Sequence, residues 1–301
     1  MPINKPILTA LVLLAGLGLA GCKPLQAVND LSSAASANLQ EFDAFNTSLT
    51  DIYLDDCRIL AYEDYSDSSV RLKIDTLPSS VLFPFSFSVA KQKDTLLRRI
   101  YIALHGYFAA LAKISADSLV NYSIDTVSTS LSSGAIIDTT KISPGTIGAI
   151  GAIAGKLGEF ISNDYRLHRI KKYVTESDPY VQRLILDMKN SLVDVRNFLS
   201  LEQRYLKDHV YDSLVKYSRS RFERKQALDE YFRVTEDIDN RERRLDSYRL
   251  SLDVIAAGHA YILSHVDDLR SKEVKKKLTG FASALKDHQS EFNALTQRSS
   301  K

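Results

Sequence analysis

Six histidines, at positions 105, 168, 209, 259, 265 and 288, and two cysteines, Cys22 and Cys57, are the first places to look for metal or nucleophilic chemistry. A zinc site needs ligands at fixed helical or loop spacing, and neither HExxH nor a paired His/Cys spacing occurs. An SxxK pair sets a lysine one helical turn after a serine and can activate it. Such pairs occur at Ser88/Lys91, Ser213/Lys216 and Ser283/Lys286 without a KTG-type partner, which reads as chance in a helical chain rich in both residues. There is no GxSxG elbow, P-loop or dinucleotide fingerprint. The acidic pairs Asp55-Asp56, Asp187/Asp194 and Asp267-Asp268 fall on faces rich in Lys and Arg and read as solvated ion-pair partners. His259, beside Gly258 on an apolar seam, reads as a core or hairpin-facing histidine. No catalytic residue, metal site or cofactor is expected, and the chain is read as a non-enzyme.

Charge narrows the partners. The 301 residues carry 39 Lys+Arg against 37 Asp+Glu, a formal net charge of +2. Nucleic-acid binders carry a strong basic excess, so none is expected here. There is no tryptophan, a weak argument against a carbohydrate-binding face, since the 15 Tyr can substitute. Cys57 has two readings: a small buried apolar residue, or a thiol open to an intermolecular disulfide.

The periodicity is mainly helical. Val28, Leu31, Ala35, Phe42, Phe45, Leu49, Ile52 and Ile59 step by threes and fours, with polar Asn38 and Asp56 in the same series, and predict a first helix. A second, with Ser88 as its N-cap, is expected over 88–115. Ser143-Pro144 and Asp178-Pro179 each look like a cap followed by proline in the first helical turn. Residues 180–257 contain neither Gly nor Pro. Two heptad-spaced arms are visible there. One carries Val181, Ile185, Met188, Leu192, Val195, Leu199 and Leu206; the other carries Tyr231, Ile238, Leu245, Leu252, Ala256, His259, Leu263 and Val266. The polar, basic stretch 218–226 breaks the register and predicts the tip of an antiparallel hairpin; a single continuous rod is the alternative. Arg241, Glu242, Arg243 and Arg244 are expected on its solvent faces. A shorter helix with Leu278, Phe281, Leu285 and Phe292 follows. The fold class is mainly α: an elongated helical bundle with a long antiparallel coiled-coil-like hairpin and small irregular or β-containing segments at 62–87 and 117–142.

Three stretches admit a contact role beside a structural one. The run 81–87 contains Phe83, Phe85 and Phe87, which either plug the end of the core or dip into a membrane surface. Gly145, Gly148, Gly151, Gly155 and Gly158 lie in one predicted helix, each internal glycine costing about 1 kcal/mol against alanine. Close helix packing would offset that cost, as would a membrane-inserting or mobile segment. Arg166, Arg169, Lys171 and Lys172, with His168 and Tyr173, read as a solvated face near a helix C-terminus or as a contact for anionic headgroups or glycan phosphate.

At the N-terminus, Lys5 precedes an uncharged, Leu/Ala/Gly-rich stretch at 7–19, too short to span a bilayer. It closes on Leu19-Ala20-Gly21-Cys22, which resembles the lipobox of bacterial lipoproteins. The resemblance covers residues 1–22 and no more. It implies a cleaved signal peptide (1–21), cleavage between Gly21 and Cys22, and acylation of Cys22, palmitate included, with two or three chains giving stable anchoring. Lys23 matches the class sorted to the outer membrane in the enterobacterial pattern, which implies a periplasm-facing protein. Residues 22–301 are then expected to form a single helical domain on a membrane-held lipid. The function expected is that of a cell-envelope adaptor, spacer or assembly component, binding another envelope protein or itself. The alternative is a membrane-active helical protein, whose architecture is similar to α-helical pore formers.

Overall fold

The computed structural model describes residues 25–45, 47–63, 85–116, 144–159 and 166–298. Eight α-helices account for nearly all of them, and no strand occurs among the described residues. In chain order they are α1 Gln26–Gln40, α2 Leu49–Glu63, α3 Phe87–Ser115, α4 Pro144–Glu159, α5 Arg166–Tyr205, α6 Asp212–Tyr217, α7 Arg221–Ser264 and α8 Lys272–Arg298. A 3₁₀ turn, Glu41–Ala44, ends α1, and a π-helical stretch, Leu206–Tyr211, joins α5 to α6. Cys22, Gly21 and Phe83, with the segments 64–84 and 117–143, lie outside the described residues.

The mainly helical bundle is what the apolar spacing predicts. One contiguous cluster of buried side chains draws on α1 to α5, α7 and α8. The first hairpin arm is buried from Val181 to Leu199, as the heptad step requires, with Leu206 partly covered. The arms are antiparallel. Lys189 meets Asp253, and seven residues further on Arg196 meets Asp246 at 3.2 Å, seven residues back on the partner. Gln203 then reaches Asp239 at 2.7 Å. The chain reverses at Ser218–Ser220, so the turn is shorter than the 218–226 expected and residues 221–226 are already helical. Ser220 explains the early start. Its hydroxyl accepts the Glu223 N–H at 3.1 Å, while the Glu223 carboxylate takes the N–H groups of Ser220 and Arg219. That is a capping box, which satisfies donors a helix start otherwise leaves unpaired.

Four expectations need correcting. The first apolar series does not make one helix: it bends after Gln40 and restarts at Leu49. The restart is fixed by a short reciprocal cap between Ser48 and Asp51 and by Asp94 of α3, whose carboxylate accepts the N–H groups of Leu49 and Thr50, each at 2.9 Å. The helix α3 starts at Phe87 with Ser86 in the N-cap position, two residues before the expected Ser88. Pro179 does not open a helix but lies inside α5, which begins at Arg166. The missing proline N–H costs a bond there, and packing of Val174, Val181 and Leu184 keeps the helix continuous. The basic patch at 166–172 accordingly stands at a helix N-terminus, not near a C-terminus, so the dipole does not favour it.

One end of the bundle collects several helix termini. Leu31 of α1 touches Gly258 of α7, and Asn29 donates to the Ala112 carbonyl of α3 at 2.5 Å. Tyr107 of α3 stacks on Tyr173 of α5 at 4.5 Å. The start of α1, the start of α5 and the ends of α3 and α7 therefore share this base. The hairpin turn is at the other end. From Gly258 to Arg221, α7 runs about 55 Å at 1.5 Å per residue.

Candidate functional site

Three places carry polar chemistry, and the first reaches from the core to its margin near the base. His259 of α7 is fully buried. Its Nδ1 lies 2.9 Å from Asp178 of α5, and its Nε2 lies 2.6 Å from the Tyr107 hydroxyl. Gln182 supports Asp178 with a hydrogen bond of 3.1 Å and spans to the Ala256 carbonyl at 3.2 Å. The hydrogen bond from His259 holds the Asp178 carboxyl below its ordinary value, against the opposing pull of burial. Burial pushes the phenols of Tyr107 and Tyr173 well up. An Asp–His–Tyr chain can relay protons, but Tyr107, Tyr173 and His259 are at most 2% exposed and no substrate reaches them. Its role is to satisfy polar atoms that fix how three helices meet.

The second place is a cleft of about 270 Å³ beneath the outer half of the hairpin, where α2 lies against α5 and α7. Glu202 lines it with Asp55, Asp237, Arg233 and Arg241. Glu202 is only 4% exposed, and its Oε2 has no hydrogen-bond partner. Burial first, then the Asp55 charge, pushes its carboxyl up to about 7, against the pull of Arg241. Arg241 itself pairs with Asp237 at 2.5 Å. The π-helical stretch begins at Leu206 on the rim, and such stretches recur at functional positions. Among the described residues no group of His, Cys, Asp and Glu could hold a metal ion, and this cleft presents one titrating carboxyl without a nucleophile beside it.

The third place is the hairpin tip. Tyr217 and Phe222 are 74% and 68% exposed, more than any other large apolar side chain described. Around them stand Lys216, Arg219, Arg221, Arg224 and Lys225, against the single acid Glu223, whose carboxylate is engaged in the capping box. Behind the tip, Tyr211 and Tyr231 lie 4.3 Å apart, centroid to centroid, and brace the arms.

The residues singled out in the sequence fall elsewhere. Phe85 is half-buried, edge-on to Phe198 at 5.5 Å with the Lys93 ammonium 4.9 Å above its ring. Phe87 packs edge-on to Tyr53 at 5.7 Å. Of the two readings of Gly148, Gly151 and Gly155, close helix packing does not hold among the described residues. All three are exposed, and a Cβ on any of them would meet nothing within 4 Å. The buried side of α4 is instead Thr146, Ala149, Ile150 and Ile153. Cys57 is buried and free, its thiol raised by burial and by Asp56. Asp56 is not solvated as expected but fully buried, and Arg244 is 6% exposed rather than on a solvent face. Arg244 is covered because α7 packs on α5, α8 and α1 at once, and Asp56 because α2 packs on both α3 and α5.

Sequence reasoning passed over Glu202 and the pairing of Asp178, although a signal existed. Glu202 lies three residues past Leu199, and Asp178 three before Val181, so both fall in the apolar series of the first arm. A polar residue in a seam position is the mark of a buried polar contact.

Fold and site define a helical bundle with a projecting, basic-tipped hairpin. No family model matches this chain, and neither does any curated protein or solved structure.

Proposed function

We propose that the protein is a lipid-anchored component of the bacterial cell envelope that works as an adaptor or spacer, holding a partner protein or a second copy of itself away from the membrane. The lipobox ending at Cys22 motivates the anchor. The observation that carries the spacer reading is axial. Leu25, three residues past Cys22, belongs to the base, while the hairpin turn lies at the opposite end, about 55 Å further along α7. A lipid on Cys22 would seat the base at the bilayer and send the tip outward, toward the periplasm if the membrane is an outer one. Among the described residues no helix is long and apolar enough to cross a membrane, so anchoring in this reading falls to the lipid.

The test is crosslinking of the lipidated protein in its own membranes, with Cys22→Ala as the unanchored control. Adducts with one envelope protein, or with a second copy, that disappear in the control are expected. No protein adduct at all would sink the reading.

One observation favours a second reading, a membrane-active bundle. The exposed face of α4 carries glycine at 145, 148, 151 and 155 and no charge, a surface suited to apolar surroundings. Leakage of dye from vesicles on addition of lipid-free protein would support it, and intact vesicles would remove it.

A further inference from the structure

The adaptor reading leaves open which surface meets the partner, and the tip has what such a surface needs. Binding energy at protein interfaces concentrates in a few residues, with Tyr and Arg among the enriched types. Tyr217, Arg219, Arg221, Phe222 and Arg224 stand together on one turn and its flanks. An exposed phenylalanine and tyrosine gain little from the fold in that position, since most of each side chain is left uncovered. Among the described residues, Lys216, Arg219, Arg221 and Arg224 form no ion pair. The contact of Lys216 is with the Tyr217 ring, at 5.8 Å.

We infer that the tip, from Lys216 to Lys225, is the partner-binding surface, and that the partner is a protein presenting an acidic patch around an apolar recess. This rests on the adaptor reading. Charge complementarity gives the acidic character: four cations without an ion pair, and Lys225 paired with Asp229, against one acid that is already engaged. Tyr217 and Phe222 ask for the recess. The turn is also preorganised. The Ser220–Glu223 capping box and the Ser218 hydroxyl, which donates to the Val215 carbonyl at 2.9 Å, hold the backbone between the two aromatics. Little ordering entropy is left to lose on docking. The anchoring bilayer is not the occupant in this geometry. With the base at the membrane the tip is about 55 Å away, whereas charge is screened within about 8 Å at physiological salt.

The experiment uses the full-length lipidated protein in its native cells. Phe222 is replaced by p-benzoylphenylalanine, adducts are formed by light, and the crosslinked peptide is read by mass spectrometry. A parallel probe replaces Leu250, which is 54% exposed and lies toward the base, about 44 Å along α7 from Arg221. The expected result is one protein adduct from position 222, on a peptide rich in Asp and Glu, at least tenfold stronger than from position 250. Arg221→Glu with Arg224→Glu should cut it about tenfold, and reversing the acids of the crosslinked peptide to Arg should restore it. An adduct with lipid, with glycan or with a second copy of this chain overturns the inference. So does a partner captured from position 250 and indifferent to the Arg reversals, which leaves the adaptor reading standing on another face. Absence of any protein adduct from both probes, together with a negative membrane-wide crosslink, takes the adaptor reading down as well. Positions 221, 222 and 224 are exposed, so these variants should fold, and an unchanged circular dichroism melt checks it.

Discussion

Asp178 and His259 meet at 2.9 Å across the α5–α7 contact, one residue on each arm of the hairpin. A carboxylate only accepts, so the proton of this bond sits on Nδ1 of His259. In the neutral ring Nε2 is then the acceptor for the Tyr107 hydroxyl at 2.6 Å. The three groups satisfy each other, with Tyr107 and His259 out of reach of water and Asp178 at the margin of the core. His259→Phe fills the space but orphans the buried Tyr107 hydroxyl, while Asp178 keeps Gln182 and some solvent. Leaving such a buried group unmet costs roughly 1–3 kcal/mol. The expected outcome is a clear drop in urea midpoint, and Tyr107→Phe in the same background should recover part of it. Additive losses in that double-variant cycle would show that the network is not coupled.

The same pair sets an acid limit. The folded Asp178 carboxyl titrates below its ordinary value of 3.8 because of the His259 bond. Its stabilisation is present above the unfolded value and is lost as pH falls through the folded one. Asp178→Asn should therefore cost stability at pH 6 and progressively less below pH 4. Equal losses at pH 6 and pH 2.5 in denaturant titrations would contradict this.

Glu202 acts in the opposite sense. Its folded carboxyl titrates near 7, against 4.5 for the ordinary side chain. The folded state thus holds a proton that the unfolded chain has lost, and stability falls as pH rises from about 4.5 to 7, then levels off. At one pH unit per 1.36 kcal/mol, the cost above pH 7 is on the order of 3 kcal/mol. Glu202→Gln removes the charge and keeps the shape, so it should stabilise the protein at pH 8 by about 1–3 kcal/mol and change little at pH 4.5. A variant with the same pH profile as the parent would show that the cleft carboxyl is not the titrating group.

Helix α2 depends on a carboxylate from another element. Asp94 accepts the N–H groups of both Leu49 and Thr50. Asp94→Ala should cost about 1–2 kcal/mol, the range for losing a helix cap. The loss should be local, read as faster amide exchange at residues 49–53 with little change in α8. Uniform acceleration along the chain would argue that α2 is not independently capped.

Which parts of this were legible follows from where each residue sits relative to its seam. Val181, Ile185, Met188, Leu192 and Val195 are buried at the predicted spacing, because a helix pair hides one stripe and the stripe repeats every seven residues. The hairpin was legible for the same reason, since polar, basic residues at 218–226 cannot continue the stripe. Arg244 was misplaced because α7 is covered by α5, α8 and α1, and no single period records a third neighbour. Asp56 was misread as a solvated partner beside Asp55, although it stands in the apolar series with Ile52 and Ile59. Pro179 misled because a proline after an aspartate has the form of a helix start, while the packing that carries α5 through it comes from residues distant in sequence. The tip was visible as a turn. That its aromatics are left mostly bare depends on no other described segment folding back over them, which only three dimensions can tell.

The glycines divide into two kinds, and alanine substitution separates them. Gly258 faces Leu31: an added Cβ would fall 2.9 Å from Cδ2 and 3.2 Å from Cδ1. Leu31 is 1% exposed, so its methyls cannot swing into solvent and the core must shift. Overpacking of this kind costs roughly 1–3 kcal/mol, more than the ~1 kcal/mol that alanine gains in helix propensity. Gly258→Ala should lower the melting temperature. At Gly148, Gly151 and Gly155 a Cβ meets nothing, so each alanine should raise stability by up to about 1 kcal/mol. These three glycines therefore keep α4 weaker than it could be, without any packing return among the described residues. If the membrane-active reading holds, the triple alanine variant should be more stable in solution yet slower to release dye from vesicles. If the helix only covers the bundle, the variant should gain stability and leave crosslinking to the partner unchanged. A triple variant that melts lower than the parent would mean that this face is packed against something in the native protein, and would turn the search for the partner from the tip to α4.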